Sequence, residues 1–161
     1  MAIALPVTRG LVALIDEADE GWAQFNWFAK PRDQSCGGFY VYRTLNGLCR
    51  STLYLHRAIL DARPGEIVDH IDGDGLNNQR SNLRIATPSQ NCANRGGYKP
   101  ASGYRGVYAA GRQWVAQISV NGEMVKLGRF AEPASAAAAY DAAAQAQFGQ
   151  FARLNFPLKA A

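Results

Sequence analysis

Only two histidines occur in the 161-residue chain, and one of them, His70, directly follows Asp69 at the end of the short apolar run Ile67-Val68. A neutral imidazole is the side chain best suited to take up a proton near neutral pH. A carboxylate is a hard oxygen donor of the kind that Mg²⁺ prefers, and so is the amide oxygen of Asn91. Adjacent residues of a strand face opposite ways, so Asp69 and His70 cannot share one role without a twist or bulge. One can hold a metal while the other faces a water. A calcium loop is excluded nearby: Asp72-Gly-Asp74-Gly75 resembles its start, but Leu76 stands at a third ligand position and Leu83 at the bidentate Glu position.

These residues need elements to bring them together. Ile67-Val68 predicts a strand running into Asp69-His70, and DGDGLNNQRSN predicts an irregular loop in which Asn77 and Asn78 serve turn chemistry. Leu83–Ile85 predicts a second strand. Thr87 as N-cap, Pro88 at the first helical position and Gln90 in a capping box predict a short helix ending near Gly96-Gly97. That helix carries Asn91 in its first turns. His56 is expected in a packing role.

The N-terminal third alternates apolar segments and breaks. Leu11–Ile15, Phe39–Tyr42 and Leu53–Leu55 predict strands, with turns at Gly37-Gly38 and Asn46-Gly47. Trp22, Phe25, Trp27 and Phe28 are expected as core or interface aromatics, and no chemistry is assigned to residues 1–52. After a linker-like GGYKPASG, Gln113–Val120 alternates, with Trp114, Ala116, Ile118 and Val120 inward and Gln113, Val115, Gln117 and Ser119 outward. Asn121-Gly122 predicts a tight hairpin. In the returning strand Glu123–Phe130, Val125 and Leu127 point inward and Met124 and Lys126 outward. Tyr104–Tyr108 predicts a third strand, and an Ala-rich helix runs from Pro133 to Gly149. One helix on one face leaves the other face of the sheet bare.

Charge follows the same division. The chain carries 17 Lys+Arg against 13 Asp+Glu, a net charge of +4. Asp16, Glu17, Asp19 and Glu20 crowd the start, whereas Gly75–Ala131 holds eight bases (Arg80, Arg84, Arg95, Lys99, Arg105, Arg112, Lys126 and Arg129) against the single acid Glu123. A polyanionic partner suits that stretch. At 48% apolar residues a folded core is expected, and wholesale disorder is excluded. No apolar run reaches the roughly 20 residues of a membrane span, and the start lacks the pattern of a secretory signal. Cys36, Cys49 and Cys92 form no CxxC pair, which argues against a disulfide framework and a cysteine-based zinc site.

Val68-Asp-His-Ile-Asp-Gly-Asp-Gly-Leu-Asn-Asn78, followed by Ser81-Asn-Leu-Arg84 and Ser89-Gln-Asn91, resembles the HNH endonuclease family, and more narrowly its phage and intron-encoded homing type. Leu55-His-Arg57 is similar to an element that precedes the motif there. The resemblance implies a ββα-metal unit that cuts DNA with one divalent ion. It implies Asp69 and Asn91 as metal ligands, His70 as the general base that activates water, and Asn82 as a brace for the loop that orients the histidine. Asn91 stands where the archetype has histidine, a replacement that homing-type members often carry. The products implied are a 5′-phosphate and a 3′-hydroxyl. One such site cuts one strand per binding event.

Tyr104-Arg-Gly-Val107, Trp114-Val-Ala-Gln-Ile118, Leu127-Gly-Arg-Phe130, Ala139-Tyr-Asp141 and Leu154-Asn-Phe156 resemble the AP2/ERF DNA-binding domain. In that family a three-stranded sheet enters the major groove, whose width accepts strands. The resemblance implies Arg105, Gln113, Gln117, Ser119, Met124 and Lys126 on the DNA-facing side, with Arg112 in a shortened first hairpin. It implies Tyr140 at a phosphate. The plant proteins carry more Arg and a Trp on this face, so their target sequence does not transfer.

The expectation is an α+β chain. A β-rich N-terminal region (1–66) leads into an HNH ββα-metal unit (67–97), a linker (98–103) and an AP2-like sheet with one helix (104–157). The expected function is Mg²⁺- or Mn²⁺-dependent hydrolysis of duplex DNA, without zinc and without a membrane, by a monomer or weak homodimer in the cytoplasm, that of a bacterial host if phage-encoded. The alternative is a DNA-binding regulator whose HNH-like unit is catalytically silent.

Overall fold

A computed structural model describes residues 1–32, 37–47, 50–96 and 100–157. Cys36, Cys49, Gly97 and Lys99 lie outside the described residues. Small antiparallel sheets and short helices make up a mixed α/β chain that divides into two compact units, 1–87 and 88–161.

The first unit opens on a hairpin, β1 (Ala2–Pro6) and β2 (Val12–Asp16). A 3₁₀ segment, Glu17–Gln24, leads to a three-stranded antiparallel sheet of β3 (Phe28–Pro31), β4 (Phe39–Leu45) and β5 (Ser51–Tyr54), with β4 central. Leu53–Leu55 was expected as one strand, but the strand ends at Tyr54 and a short helix, α1 (Leu55–Ile59), begins at Leu55. The buried Leu55, His56 and Ile59 show why: they recur at helical spacing, a signal too short to separate from a strand. Arg57 donates to the carbonyls of Ala62 and Arg63, which folds the chain back toward the next strand. That strand, β6 (Ile67–His70), pairs antiparallel with β7 (Leu83–Ala86).

One core serves the whole unit. Leu5, Ala13, Ile15, Trp27, Val41 and Leu55 pack together with Val68 and Leu83, so residues 1–66 and the β6–β7 hairpin share one core. Trp27 is buried, Trp22 and Phe25 pack at the margin, and Phe28 is exposed.

The second unit opens on α2 (Pro88–Asn94), which starts at the expected proline. Then come β8 (Val107–Ala110), β9 (Gln113–Val120), β10 (Glu123–Phe130) and α3 (Pro133–Phe148), with β9 central in the sheet. Asn121 and Gly122 both take positive φ, the geometry of the tightest hairpin turn. Ala136, Ala137 and Ala144 let α3 approach closely, packing on Ala116, Ile118 and Val107.

Two expectations are corrected here. The first strand begins at Val107, not Tyr104. Gly106 sits at φ +71°, and a Cβ there would come within 2.0 Å of the Tyr140 ring. The backbone of Arg105 is instead captured by the Asn155 side chain. In β10 a bulge between Lys126 and Gly128 breaks the alternation. Beyond it Phe130 pairs with Trp114 and turns inward, while Arg129 pairs with Val115 and turns outward. Leu127 packs on the core as expected, but Val125, although in register with Ile118, is 44% exposed.

Candidate functional site

The register of β6 and β7 builds the first constellation. Asp69 lies opposite Arg84, and His70 opposite Leu83. Alternation sends Asp69 and His70 to opposite sides of the hairpin. Asp69 makes a buried ion pair with Arg84, whose guanidinium nitrogens lie 2.8 and 2.9 Å from one carboxylate oxygen.

His70 is 4% exposed. Its Nε2 lies 3.4 Å from the Asn78 side-chain oxygen. The Asn78 amide nitrogen donates to the carbonyls of Gly75 and Leu76, which turns the amide oxygen toward the histidine. An imidazole N–H at Nε2 is the donor that this amide oxygen can accept from. Burial lowers the His70 pKa below its usual value, with the nearby Arg32 charge acting the same way, while Asn78 and the charges of Asp72 and Asp69 oppose them. The neutral, proton-accepting form is thereby favoured.

Asn82 sits at the closure of the loop. Its oxygen accepts from the Asp72 backbone, and its nitrogen donates to the Asp72 carboxylate and the Asn77 carbonyl. The backbone of Ile71 donates to the Asn82 carbonyl. Asp72 also accepts from the Asp74 backbone and the Asn77 side chain. The loop is then clamped from outside. Leu14 exchanges backbone hydrogen bonds with Leu76 and Asn78, and Asp16 and Asp19 hold Gln79 and Arg80. Gly75 lies so close to β4 that a Cβ would meet the Phe39 carbonyl at 2.2 Å. Gly75→Ala should therefore lower the urea midpoint by an amount equivalent to about 1–3 kcal/mol, the cost of overpacking.

Residues without assigned chemistry wall the histidine. Tyr40 and His56 pack against His70 at ring-centroid distances of 6.0 and 5.0 Å, and Tyr54 stacks on His56. Arg32 lies over Tyr40 and donates to the Gly73 carbonyl. Asn78, Tyr40 and Arg32 were missed by sequence reasoning. For Asn78 the signal was its place in the motif; for Tyr40 and Arg32, distant in sequence, there was none.

His56 is buried, and its Nδ1 has no hydrogen-bond partner among the described residues. Burial, aided by the neighbouring His70, Arg57 and Arg32, lowers its pKa from 6.5 to about 3. The folded protein therefore refuses a proton that the unfolded chain accepts below pH 6.5. Stability is full above that pH and falls as the pH drops toward 3. Between pH 7 and pH 5 the loss from His56 should be on the order of 2 kcal/mol, read as a lower urea midpoint.

Asn91 lies in α2, half-buried, in the second unit. Its amide oxygen, like the Asp69 carboxylate of the first unit, is by its chemistry a hard donor of the kind that Mg²⁺ takes.

The second constellation lies in the sheet of the second unit. The face away from α3 carries Gln113, Gln117, Ser119, Met124 and Lys126, and also Arg129, which the bulge brings there. Lys126 and Arg129 are exposed, without an ion-pair partner among the described residues. Arg112 is exposed at the tip of the β8–β9 hairpin. Two further residues of the DNA-binding expectation, Arg105 and Tyr140, lie off this sheet face. Arg105 precedes β8, and its guanidinium donates to the Arg95 carbonyl. Tyr140 is 7% exposed in the core beside Ile118 and Ala144, hydrogen-bonded to Arg105, and burial raises its pKa.

Comparisons with known proteins bear on the first constellation. The chain is 34% identical over 104 residues to an uncharacterized HNH endonuclease of Acanthamoeba polyphaga mimivirus, a giant virus; the match covers 63% of this chain and 54% of that protein. The chain thus spans about half the length of this relative. Residues 54–93, which hold His56, Asp69, His70, Asn82 and Asn91, match the HNH endonuclease family.

Proposed function

We propose that the chain is a metal-dependent endonuclease that hydrolyses phosphodiester bonds of duplex DNA, guided by an AP2-like sheet. The observation that carries this reading is the buried His70, with Nε2 beside the Asn78 side-chain oxygen, inside a segment that matches the HNH endonuclease family. In this mechanism His70 takes a proton from water as the water attacks phosphorus. Asn78 holds the ring and stabilises the imidazolium that forms. Asn82 keeps the loop closed, and Arg32 adds a positive charge to the surroundings of the histidine. Asp69 and Asn91 would hold Mg²⁺, which supplies neutralisation of charge on the phosphate and on the departing 3′ oxygen.

The test is supercoiled plasmid incubated with Mg²⁺ and with chelator. Conversion to open circles only with Mg²⁺ is the expected result; linear product would mean paired cuts. No conversion with either Mg²⁺ or Mn²⁺ would favour a DNA-binding regulator with a silent unit. One observation favours that second reading: Asp69 is already engaged by Arg84.

The sheet face supplies affinity in this proposal. Gln113, Gln117 and Ser119 are of the types that read base edges, and Lys126 and Arg129 meet phosphates. Lys126→Ala and Arg129→Ala should each reduce the salt slope of duplex binding by about one, with little change in the cleavage rate at saturating protein. Unchanged slopes for both would remove this face from the interface.

A further inference from the structure

In the first unit the sheet β3–β4–β5 turns one side to the core and the other away from it. Ala29, Val41 and Leu53 pack into the core. Their neighbours along each strand face the opposite way, and four of these are aromatic: Phe28, Tyr40, Tyr42 and Tyr54. None of the four belongs to the packed core of the unit. An antiparallel sheet over a core ordinarily carries polar side chains on its outer face, so core packing does not account for these rings.

The rings form a continuous path to the histidine. In register Phe28 stands opposite Tyr42, and Tyr42 opposite Tyr54, one ring from each strand. Their centroids lie 5.8 and 6.5 Å apart. Tyr40 is 6.0 Å from Tyr54 and 6.0 Å from the His70 ring. The inner end of the path is thus the wall of His70, and the outer end, Phe28, is 40% exposed. No Asp or Glu occurs in the three strands. Lys30, opposite Tyr40 in register, is exposed.

A nucleobase is a flat group that stacks on such rings, and the stacking is tolerant of sequence because every base has a π-face. A strand that presents a phosphate to His70 carries its neighbouring bases past this row. Bases inside a duplex are stacked on one another, so a ring can take one only when it is unpaired or turned out of the helix.

We propose that Phe28, Tyr42 and Tyr54 form a stacking platform for an unpaired base of the strand being cut. The preferred substrate is then duplex DNA opened locally beside the scissile phosphate, with Lys30 placed to meet the backbone next to the stacked base. The position of that base rests on the nuclease reading above; the stacking does not.

The experiment uses the full chain in chelator. Its probes are a single-stranded oligothymidylate carrying one fluorescent base analogue, a fully paired duplex, and the same duplex with a central mismatched run. Wild type should bind the single strand and the mismatched duplex more tightly than the paired one, and should quench the analogue. Phe28→Ala and Tyr42→Ala should each weaken single-strand binding by about 5–150-fold, the usual worth of one base on an aromatic ring, and relieve the quenching. Tyr42→Phe keeps the ring and should bind as wild type. Urea midpoints check folding, and the exposed Phe28 gives the deciding variant if Tyr42→Ala is unfolded. The proposal is overturned if wild type binds no single strand, or if the folded alanine variants bind and quench as wild type does. It is equally overturned if their only effect is loss of self-association in sedimentation, which would make the row a contact with a second copy of the chain. If no DNA is cut with Mg²⁺ or Mn²⁺ but the alanine variants still lose single-strand binding, the nuclease reading fails and the platform stands.

Discussion

His70→Ala should lower plasmid nicking by about 10²–10⁴-fold, the usual worth of a positioned general base. Affinity for uncut duplex should stay within a few-fold of wild type, because a buried side chain contributes no surface charge. Nicking is followed on supercoiled plasmid and binding by gel shift in chelator. Undiminished nicking by the variant would sink the mechanism. Asn78→Ala is the companion. It frees Nε2 and leaves the Gly75 and Leu76 carbonyls without their donor, so it should lose both activity and loop stability. Retained activity there would show that the ring needs no support.

Asp69→Ala should have two separable effects. The Asp69 and Arg84 side chains are 6% and 12% exposed, so removal of the carboxylate strands a buried guanidinium. Breaking such a pair costs about 3–5 kcal/mol, visible as a lower urea midpoint. Mg²⁺-dependent nicking should also vanish. The double variant Asp69→Asn with Arg84→Met removes the stranded charge and should recover most of the stability, since apolar replacement of a buried pair is often neutral. Nicking should stay absent in that double variant. If nicking returns with stability, Asp69 is a structural partner of Arg84 and not a metal ligand.

Local pattern made much of the fold legible. The Asn121-Gly122 turn and the Pro133-to-Gly149 helix stand as expected, because period and turn chemistry are properties of neighbours in sequence, and the alternation of Gln113–Val120 departs from expectation at Val115, placed outward yet buried. The β6 strand end at Asp69-His70 and the β7 strand were legible for the same reason. The errors arose where one residue breaks a period. The β10 bulge inverts every side chain after it, so Arg129 changes face. Gly106, with the Asn155 side chain holding its neighbour, delays β8, and Arg105 leaves the sheet.

The sequence by itself determined which chemistry was available: one Asp-His step in an Asn-rich loop, hard oxygen donors, and a basic stretch beside them. Tertiary structure alone decided how those groups are used. Asp69 meets Arg84, Asn78 meets His70, Tyr40 walls the ring, and Phe28, Tyr42 and Tyr54 from three strands form one row. The physical reason is that burial and hydrogen-bond partners depend on which backbones approach in space, and spacing along the chain carries no record of that approach.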